Sequence, residues 1–343
     1  MQQTQLAATE LGRTGLRISR VGFGAWAIGG GRYEFGWGPQ DDEDSIAAIR
    51  RALELGVTHF DTAALYGFGA NEQLVGELLG RRPDHVIVAS KCGLFGRDGK
   101  RVIDGRPESI RAICEQSLRN LKSGSIDLYY LHRWDKSVPI EDSVGALADL
   151  KRQGKIRAIG LSEVGAATLR KAHAVHPIAA LQSEYSLWTR NPEIAVLEEC
   201  RRLGVTFVAF SPLGRGFLSG LIRNPADLAE GDIRRGMPRF QSPNFEENLR
   251  LLAPLADIAA QIGCTRAQLA LAWVLARAPH IVAIPGTTSD AHLTENCGAD
   301  AIRIDAATLG RLDSLLPPGR ASGARYPPAT QVENDTEEIG QTA

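Results

Sequence analysis

Residues 86–132 read VIVASKCGLFGRDGKRVIDGRPESIRAICEQSLRNLKSGSIDLYYLH. Two short apolar runs, VIVASK (86–91) and IDLYYLH (126–132), flank PESIRAICEQSLRNL (107–121), which has the period of an amphipathic helix. Pro107 and Glu108 suit the first turn of that helix. Strand, helix and strand in this order predict a right-handed crossover between parallel strands. Each apolar run also closes on an ionisable residue, Lys91 or His132.

The same alternation extends in both directions. The other apolar runs are VGFG (21–24), THFD (58–61), IRAIGLS (156–162), IAALQS (178–183), VTFVAFS (205–211) and IVAIPG (281–286). DSIAAIRRALELG (44–56) places Ile46, Ile49, Leu53 and Leu55 near one helix face and stops at Gly56. IEDSVGALADLKRQG (140–154) ends on Lys151, Arg152 and Gly154, which suit a helix C-terminus. Eight such units in 343 residues favour a closed (β/α)8 TIM barrel over an open α/β sheet. No GxGxxG follows the first run: GFGAWAIGGG (22–31) has the wrong spacing and opens no helix, which argues against a doubly wound fold. LGRTGLRISRVGFG turns at Arg13–Gly15 and predicts an N-terminal β-hairpin closing the barrel bottom. Residues 214–247 predict a long loop after the seventh strand, of the kind that forms a lid or a binding loop. The barrel is expected over 1–316 as one domain, with 317–343 a tail whose last ~15 residues are disordered.

Hydrophobic content of 43% and charged content of 23% are those of an ordinary globular chain. A formal net charge of -1 argues against electrostatic binding to nucleic acid or to an acidic membrane surface. The five cysteines (Cys92, Cys114, Cys200, Cys264, Cys297) are scattered without a CxxC, which fits free thiols in a reducing cytosol. Cys92 beside Lys91 reads as a buried bystander rather than a reactive thiol. MQQTQLAATE lacks the regions of a signal peptide, and no apolar run approaches the ~20 residues of a spanning helix. A cytoplasmic monomer or homo-oligomer is expected, without nucleic-acid or membrane partners.

In a barrel the chemistry sits at the C-terminal ends of the strands. Here those ends are Asp61, Lys91, His132, Ser162, Gln182 and Ser211, and the eighth run leads into Thr287. Tyr66 follows Asp61 in DTAALYG. Tyrosine is a weak acid, with a pKa of about 10, and an adjacent ammonium lowers it. Lys91 fills that role if Asp61 holds it in place, and His132 has a hydrogen bond to give a substrate oxygen. Such a set suits protonation of an oxygen that is gaining negative charge. Hydride addition to a carbonyl creates that oxygen, and no side chain supplies hydride, so a nicotinamide is required. Two other readings stay open: Asp61 and Lys91 as a structural ion pair, or Lys91 as the Schiff-base nucleophile of an aldolase. A metal at His132 is not expected, because neither HxH nor HxxxH accompanies it.

GVTHFDTAALYGFGANEQLVGELL resembles the aldo-keto reductase signature around its catalytic Asp and Tyr. VIVASKCG resembles that family's Lys segment and IDLYYLHRWD its His segment. GKIRAIGLSE, ALQSEYSLWTRN, VAFSPLGRGFLSG and AIPGTTSDAHLTEN resemble its cofactor segments, so the likeness runs from about Leu11 to about Leu316. It implies a cytosolic NAD(P)H-dependent reductase of aldehydes and ketones. Asp61, Tyr66, Lys91 and His132 match the family's catalytic tetrad, with Tyr66 as the acid. Ser162 and Gln182 match side chains that hold the nicotinamide carboxamide. Phe210 stands where an aromatic ring stacks on the nicotinamide. Ser211, Leu213, Gly214 and Gly216 match the backbone around the pyrophosphate, and Arg215 is a phosphate partner by charge. Gly286, Thr287, Ser289, Asp290, His292 and Asn296 fall in the segment that wraps the adenosine.

Many members read Ser-Asn where this chain has Ser162-Glu163; the perakine-reductase-like and pyridoxal-reductase-like branch often has Glu, and HAVHPIAALQSEYSLWTRNPE resembles that branch most. Many NADPH-using members carry Lys and Arg in the eighth-strand segment, where this chain has Gly286, Thr287, Ser289 and His292. NADP(H) is the expected cofactor, with NAD(H) as the alternative. Trp26, Tyr33, Phe35, Trp37, Phe95 and Trp134 are candidates for an aromatic pocket that takes a small aldehyde or ketone, with Trp26 and Trp134 preferred. The resemblance also admits a non-catalytic nucleotide-sensing subunit, or an alcohol or sugar dehydrogenase running in the oxidative direction.

Overall fold

The computed structural model describes residues 6–28, 37 and 40–340. β1 (Ala8–Glu10) and β2 (Arg17–Ser19) form an antiparallel hairpin. The barrel strands are β3 (Phe23–Gly24), β4 (His59–Asp61) and β5 (Ile87–Cys92), then β8 (Ile126–Leu131), β9 (Ile156–Ser162), β10 (Ala180–Glu184), β11 (Thr206–Phe210) and β12 (Ile281–Ile284). Between β5 and β8 lies a second hairpin, β6 (Leu94–Arg97) with β7 (Lys100–Ile103), that the apolar pattern did not announce. The eight barrel strands pair in parallel in the order β3-β4-β5-β8-β9-β10-β11-β12. The ring closes where Val21 bridges Ala283 and where the Gly24 N–H donates to the Pro285 carbonyl at 3.0 Å. Closure brings two glycines together: a Cβ on Gly286 would lie 2.5 Å from the Gly24 carbonyl oxygen.

Alternation along each strand sorts the side chains. Phe60, Val88, Tyr129 and Leu161 face the surrounding helices, in the large outer core. Ala89, Leu128, Tyr130, Ala158, Val208 and Val282 fill the lumen. Leu11 and Ile18 of the first hairpin join that inner cluster, so the hairpin plugs the bottom of the barrel, as expected. The Gly12 N–H fixes it by donating to Thr206 Oγ1 at 2.8 Å. Gly160 lacks a Cβ where the Tyr130 ring crosses the lumen; one built there would lie 2.3 Å from that ring.

The helices fall where periodicity places them. Asp42–Glu54 is capped by the Asp41 carboxylate and buries Ala48, Ile49 and Ala52. Pro107–Asn120 buries Ile110, Cys114 and Leu118, and Ile140–Arg152 ends on Lys151 and Arg152. The long connection after β11 is a chain of short 3-10 turns, Phe217–Ser219 through Pro238–Phe240, leading into helix Asn244–Leu249. Its aromatic residues anchor it: Phe217 stacks on Trp188 at 4.1 Å, and Phe240 meets the same indole edge-on. Among the described residues no single helix is long and apolar enough to cross a membrane.

The tail departs from expectation. Residues 317–340 are laid against the top of the barrel, including most of the stretch read as disordered. Arg325, 5% exposed, pairs with the buried Glu163 carboxylate. Glu333 pairs with Arg101, Lys136 donates to the Val332 and Asn334 carbonyls, and the Asp335 N–H donates to the Glu163 carbonyl at 3.0 Å. These partners are far apart in sequence, so composition could not reveal them.

Two measurements test this account. Breaking a buried pair strands the remaining charge, so Arg325→Met should lower unfolding free energy by about 3–5 kcal/mol in urea titration; a loss under about 1 kcal/mol would mean the tail is not anchored there. His59 faces the lumen at 0% exposure with neither ring nitrogen bonded, and burial pulls its pKa from 6.5 down to about 4. Between those values the unfolded chain binds more protons than the folded one, so stability falls as pH falls. The contribution is roughly 2–3 kcal/mol between pH 6.5 and 4.5. His59→Gln should flatten this slope, read by urea unfolding of both proteins at the two pH values; parallel slopes would contradict it.

Candidate active site

The register of neighbouring strands brings the polar strand ends to one rim. β4 carries Asp61 and β5 carries Lys91; His132 follows β8, and Tyr66 opens the short turn Tyr66–Gly69. Lys91 is 0% exposed, so each of its three N–H bonds needs an acceptor. One goes to the Asp61 carboxylate, one to the Thr62 carbonyl at 2.8 Å and one to the Tyr66 hydroxyl at 3.1 Å. Gln182 Nε2 donates to the other Asp61 oxygen at 2.7 Å. Since Lys91 donates to the Tyr66 oxygen, the phenol proton is free to point into the cavity. The Tyr66 ring meets Trp26 edge-on at 4.9 Å and His132 edge-on at 5.8 Å.

The electrostatics correct one expectation. The pKa of Tyr66 lies well above the ordinary value, not below it. Burial is the main cause, the Asp61 charge adds to it, and only Arg133 pulls the other way. Lys91 stands close to the phenol, but its charge is spent on Asp61, and its own pKa is lowered, chiefly by burial. Burial, with Lys91 and Arg133 nearby, holds the His132 imidazole neutral, well below its usual pKa. Its Nδ1 is buried without a partner. Cys92 is inert: it is fully buried and its thiol pKa is pushed up.

A cavity of about 1020 Å³ opens above this rim. Asp61, Tyr66 and His132 reach its wall, whereas Lys91 stays behind Tyr66. Ser162, Gln182, Phe210, Ser211, Leu213, Arg215, Gly216, Gly286, Thr287, His292 and Asn296 also line it. Gly214 does not; it backs against the Trp188 ring. Ser289 instead caps helix Asp290–Gly298 by accepting from the His292 N–H. Asp290 points outward to Arg51 at 2.7 Å, so its charge is matched there. Arg215 lines the cavity but is held by Glu184 at 2.9 Å, a carboxyl whose pKa stays down at about 2 despite its burial because Arg215, Arg325 and Arg239 surround it. Glu163 takes a positive φ of 54°, which turns its carboxylate away from the cavity toward Arg325.

The aromatic expectations divide. Trp26 and Trp37 line the cavity. Trp134 does not: its indole N–H donates to the Val138 carbonyl and its ring packs on the outer core. Phe95 is buried beneath Arg97, because in β6 it is the preceding residue, Leu94, that faces the cavity. Tyr33 and Phe35 lie outside the described residues. Residues not singled out from the sequence also contribute, namely Arg133, Arg101 of β7, and Tyr326, Thr330 and Glu333 of the tail. Arg133 was legible in LHRWD as the neighbour of His132; the tail residues had no local signal.

Two features suit an anionic, polar ligand such as a dinucleotide. Asn296 Oδ1 is buried without a partner in the cavity wall. Ser211, Gly214, Arg215 and Gly216 all take positive φ, in a tight turn that leaves backbone N–H groups unpaired. Among the described residues the N–H groups of Leu213, Arg215 and Gly216 donate to nothing.

Comparison with known proteins identifies the family. The aldo/keto reductase family model matches residues 20–317. A relative described as probable aldo-keto reductase 1, from Glycine max, is 41% identical over 330 residues, covering 95% of this chain and 93% of its own. The solved glycerol dehydrogenase from Gluconobacter oxydans is 31% identical with a TM-score of 0.81, covering 96% of this chain and 99% of that one. An aldo-keto reductase from Klebsiella pneumoniae, solved in complex with NADPH, is 26% identical with a TM-score of 0.70, covering 94% and 99%. The chain belongs to the aldo/keto reductase family.

Proposed function

We propose that this protein is an NADPH-dependent reductase of small aldehydes and ketones, with Tyr66 as its acid. The observation that carries the reading is the bond from Lys91 to the Tyr66 oxygen, made behind the cavity wall, so that the phenol O–H is free to donate into the cavity. A bound nicotinamide supplies the hydride for the carbonyl carbon. Ser162, Gln182 and Phe210 would hold its ring against the rim, the Leu213–Gly216 backbone its pyrophosphate, and Thr287, His292 and Asn296 its adenosine end. The NADPH-bound relative from Klebsiella pneumoniae supports this choice of cofactor.

Tyr66 gives its proton to the carbonyl oxygen as negative charge develops there. A raised pKa keeps the phenol protonated at neutral pH, so the acid is always loaded. The tyrosinate that forms is stabilised by Lys91 at 3.1 Å and by the charge of Arg133. Neutral His132 orients the substrate oxygen through Nε2–H, the tautomer that leaves Nδ1 as an unprotonated, unpartnered atom. Trp26 walls the substrate side against Tyr66. Lys91 has all three donors engaged and does not reach the cavity, so it is badly placed for a Schiff base.

The same proton path run backwards serves alcohol oxidation, and the Gluconobacter oxydans relative, a glycerol dehydrogenase, gives that direction its support. Five free thiols, four of them buried, fit a reducing cytoplasm.

Steady-state reduction of 4-nitrobenzaldehyde with NADPH tests the reading. Tyr66→Phe should cut kcat by about 10²–10⁴-fold with NADPH affinity nearly unchanged, since only the phenol is removed. Wild-type turnover in the purified variant would eliminate Tyr66 as the acid. On cofactor choice, the adenosine segment offers His292 as its one basic side chain, so a modest preference for NADPH over NADH is expected. His292→Arg should sharpen it, because a guanidinium binds phosphate bidentately. Dissociation constants for both cofactors, by tryptophan fluorescence, check this; a strong preference indifferent to position 292 would relocate the 2′-phosphate.

A further inference from the structure

Arg133 ends the LHR segment after β8 and is 9% exposed, yet it lines the cavity. Nη1 donates to the His132 carbonyl at 2.8 Å and to the Ser162 hydroxyl at 3.4 Å, and Nε is buried without a partner. No carboxylate among the described residues forms an ion pair with it. Other guanidiniums of the cavity are matched: Arg101 by Glu333, Arg215 by Glu184 and Arg234 by Asp232. Arg235 is also unmatched, but it stands on the long segment after β11 and spends a donor on the Leu228 carbonyl.

A guanidinium taken from water without a counter-charge is unfavourable, and with Nη1 committed and Nε enclosed it is Nη2 that remains to give a charge-assisted hydrogen bond to an anion. The chain has spent a carboxylate on three neighbouring arginines and left this one open beside the reacting centre. Its bonds to the His132 carbonyl and the Ser162 hydroxyl place the guanidinium in the same cavity wall as His132 and Tyr66. An anion seated on it shares that cavity with the carbonyl that Tyr66 and His132 would receive.

We propose that Arg133 is the anion-binding residue of the substrate site and that this cavity favours aldehydes or ketones bearing a carboxylate. The proposal rests on the carbonyl-reductase reading above. A neutral analogue leaves the buried guanidinium unmatched, so discrimination comes from the unpaired site rather than from extra contact area. Met in its place removes the charge and its donors; Lys restores a charge without the planar guanidinium that also holds the His132 carbonyl.

The test measures kcat/KM for glyoxylate, succinic semialdehyde and 4-carboxybenzaldehyde against their matching amides, in wild type, R133M and R133K. In wild type at least one acid should exceed its amide by roughly 10- to 100-fold, the worth of a hydrogen-bonded charge. R133M should bring that ratio near one, and R133K should recover part of it. A ratio near one for all three acids in wild type overturns the proposal. So does a ratio that R133M leaves unchanged, even if NADPH affinity falls, since Arg133 would then serve the cofactor. 4-Nitrobenzaldehyde separates the two claims: if it is reduced without any acid preference, the reductase reading stands and this one fails. If no substrate turns over, benzoate and benzamide titrations by tryptophan fluorescence in the presence of NADPH decide. Benzoate binding tighter than benzamide, and lost in R133M, supports the site; equal binding of the two overturns it.

Discussion

The buried ammonium of Lys91 is the constraint around which the rim is arranged. A charge at 0% exposure persists only if every donor is matched, and the three acceptors all come from the short stretch Asp61–Tyr66 that runs on from the end of β4. Asp61 must end β4 beside β5, Thr62 must turn its carbonyl inward, and Tyr66 must come back over the strand end. Asp61 is then committed on both oxygens, to Lys91 and to Gln182 from the far side of the barrel. That bond to Gln182 spans the lumen, so the placing of Asp61 depends on closure of the ring at Gly24 and Gly286. The glycines at that seam, the hairpin plug below and the polar rim above are parts of one packing solution.

The phenol's pKa shows how the same burial changes the expected logic. From Coulomb's law alone, an ammonium at hydrogen-bond distance should make Tyr66 a stronger acid. In the structure that ammonium faces a carboxylate, and burial together with the Asp61 charge raises the phenol's pKa instead. Under the proposed reading a neutral phenol is the form that reduction needs in the ground state, and the ammonium would serve once the proton has left, when the tyrosinate needs a donor already in place.

Fold and rim were largely legible because both are periodic. Eight apolar runs, alternating with helical stretches, specify the barrel; their polar last residues specify where function sits. VIVASK and IDLYYLH landed on β5 and β8 within a residue of their expected ends. What escaped the sequence is what has no period. The Glu163–Arg325 pair joins residues 162 apart, and a Gly- and Pro-rich tail looks disordered until its partners are seen. Trp134 follows a strand end, as a pocket residue should, but its N–H found a carbonyl four residues on and took the ring with it. Phe95 was one position out of register, and alternation in β6 sends neighbouring side chains to opposite faces.

The distribution of charge along the cavity has a physical sense of its own. Around segment 211–216, Arg215 and Arg234 are already matched by Glu184 and Asp232, so under the proposed reading anion recognition there would fall to backbone N–H groups. Fixed dipoles of this kind hold an anion without leaving a bare cation in the empty pocket. The cost of apo burial is thereby kept low along most of the cavity. Arg133 departs from that economy at one point, beside Tyr66. A charge left open where alkoxide character would develop lowers the energy of any anion formed there, whether on substrate, on Tyr66 or on both. Its placement next to His132 in the chain ties the two side chains to one strand end: the register that brings the imidazole to the rim brings the guanidinium with it.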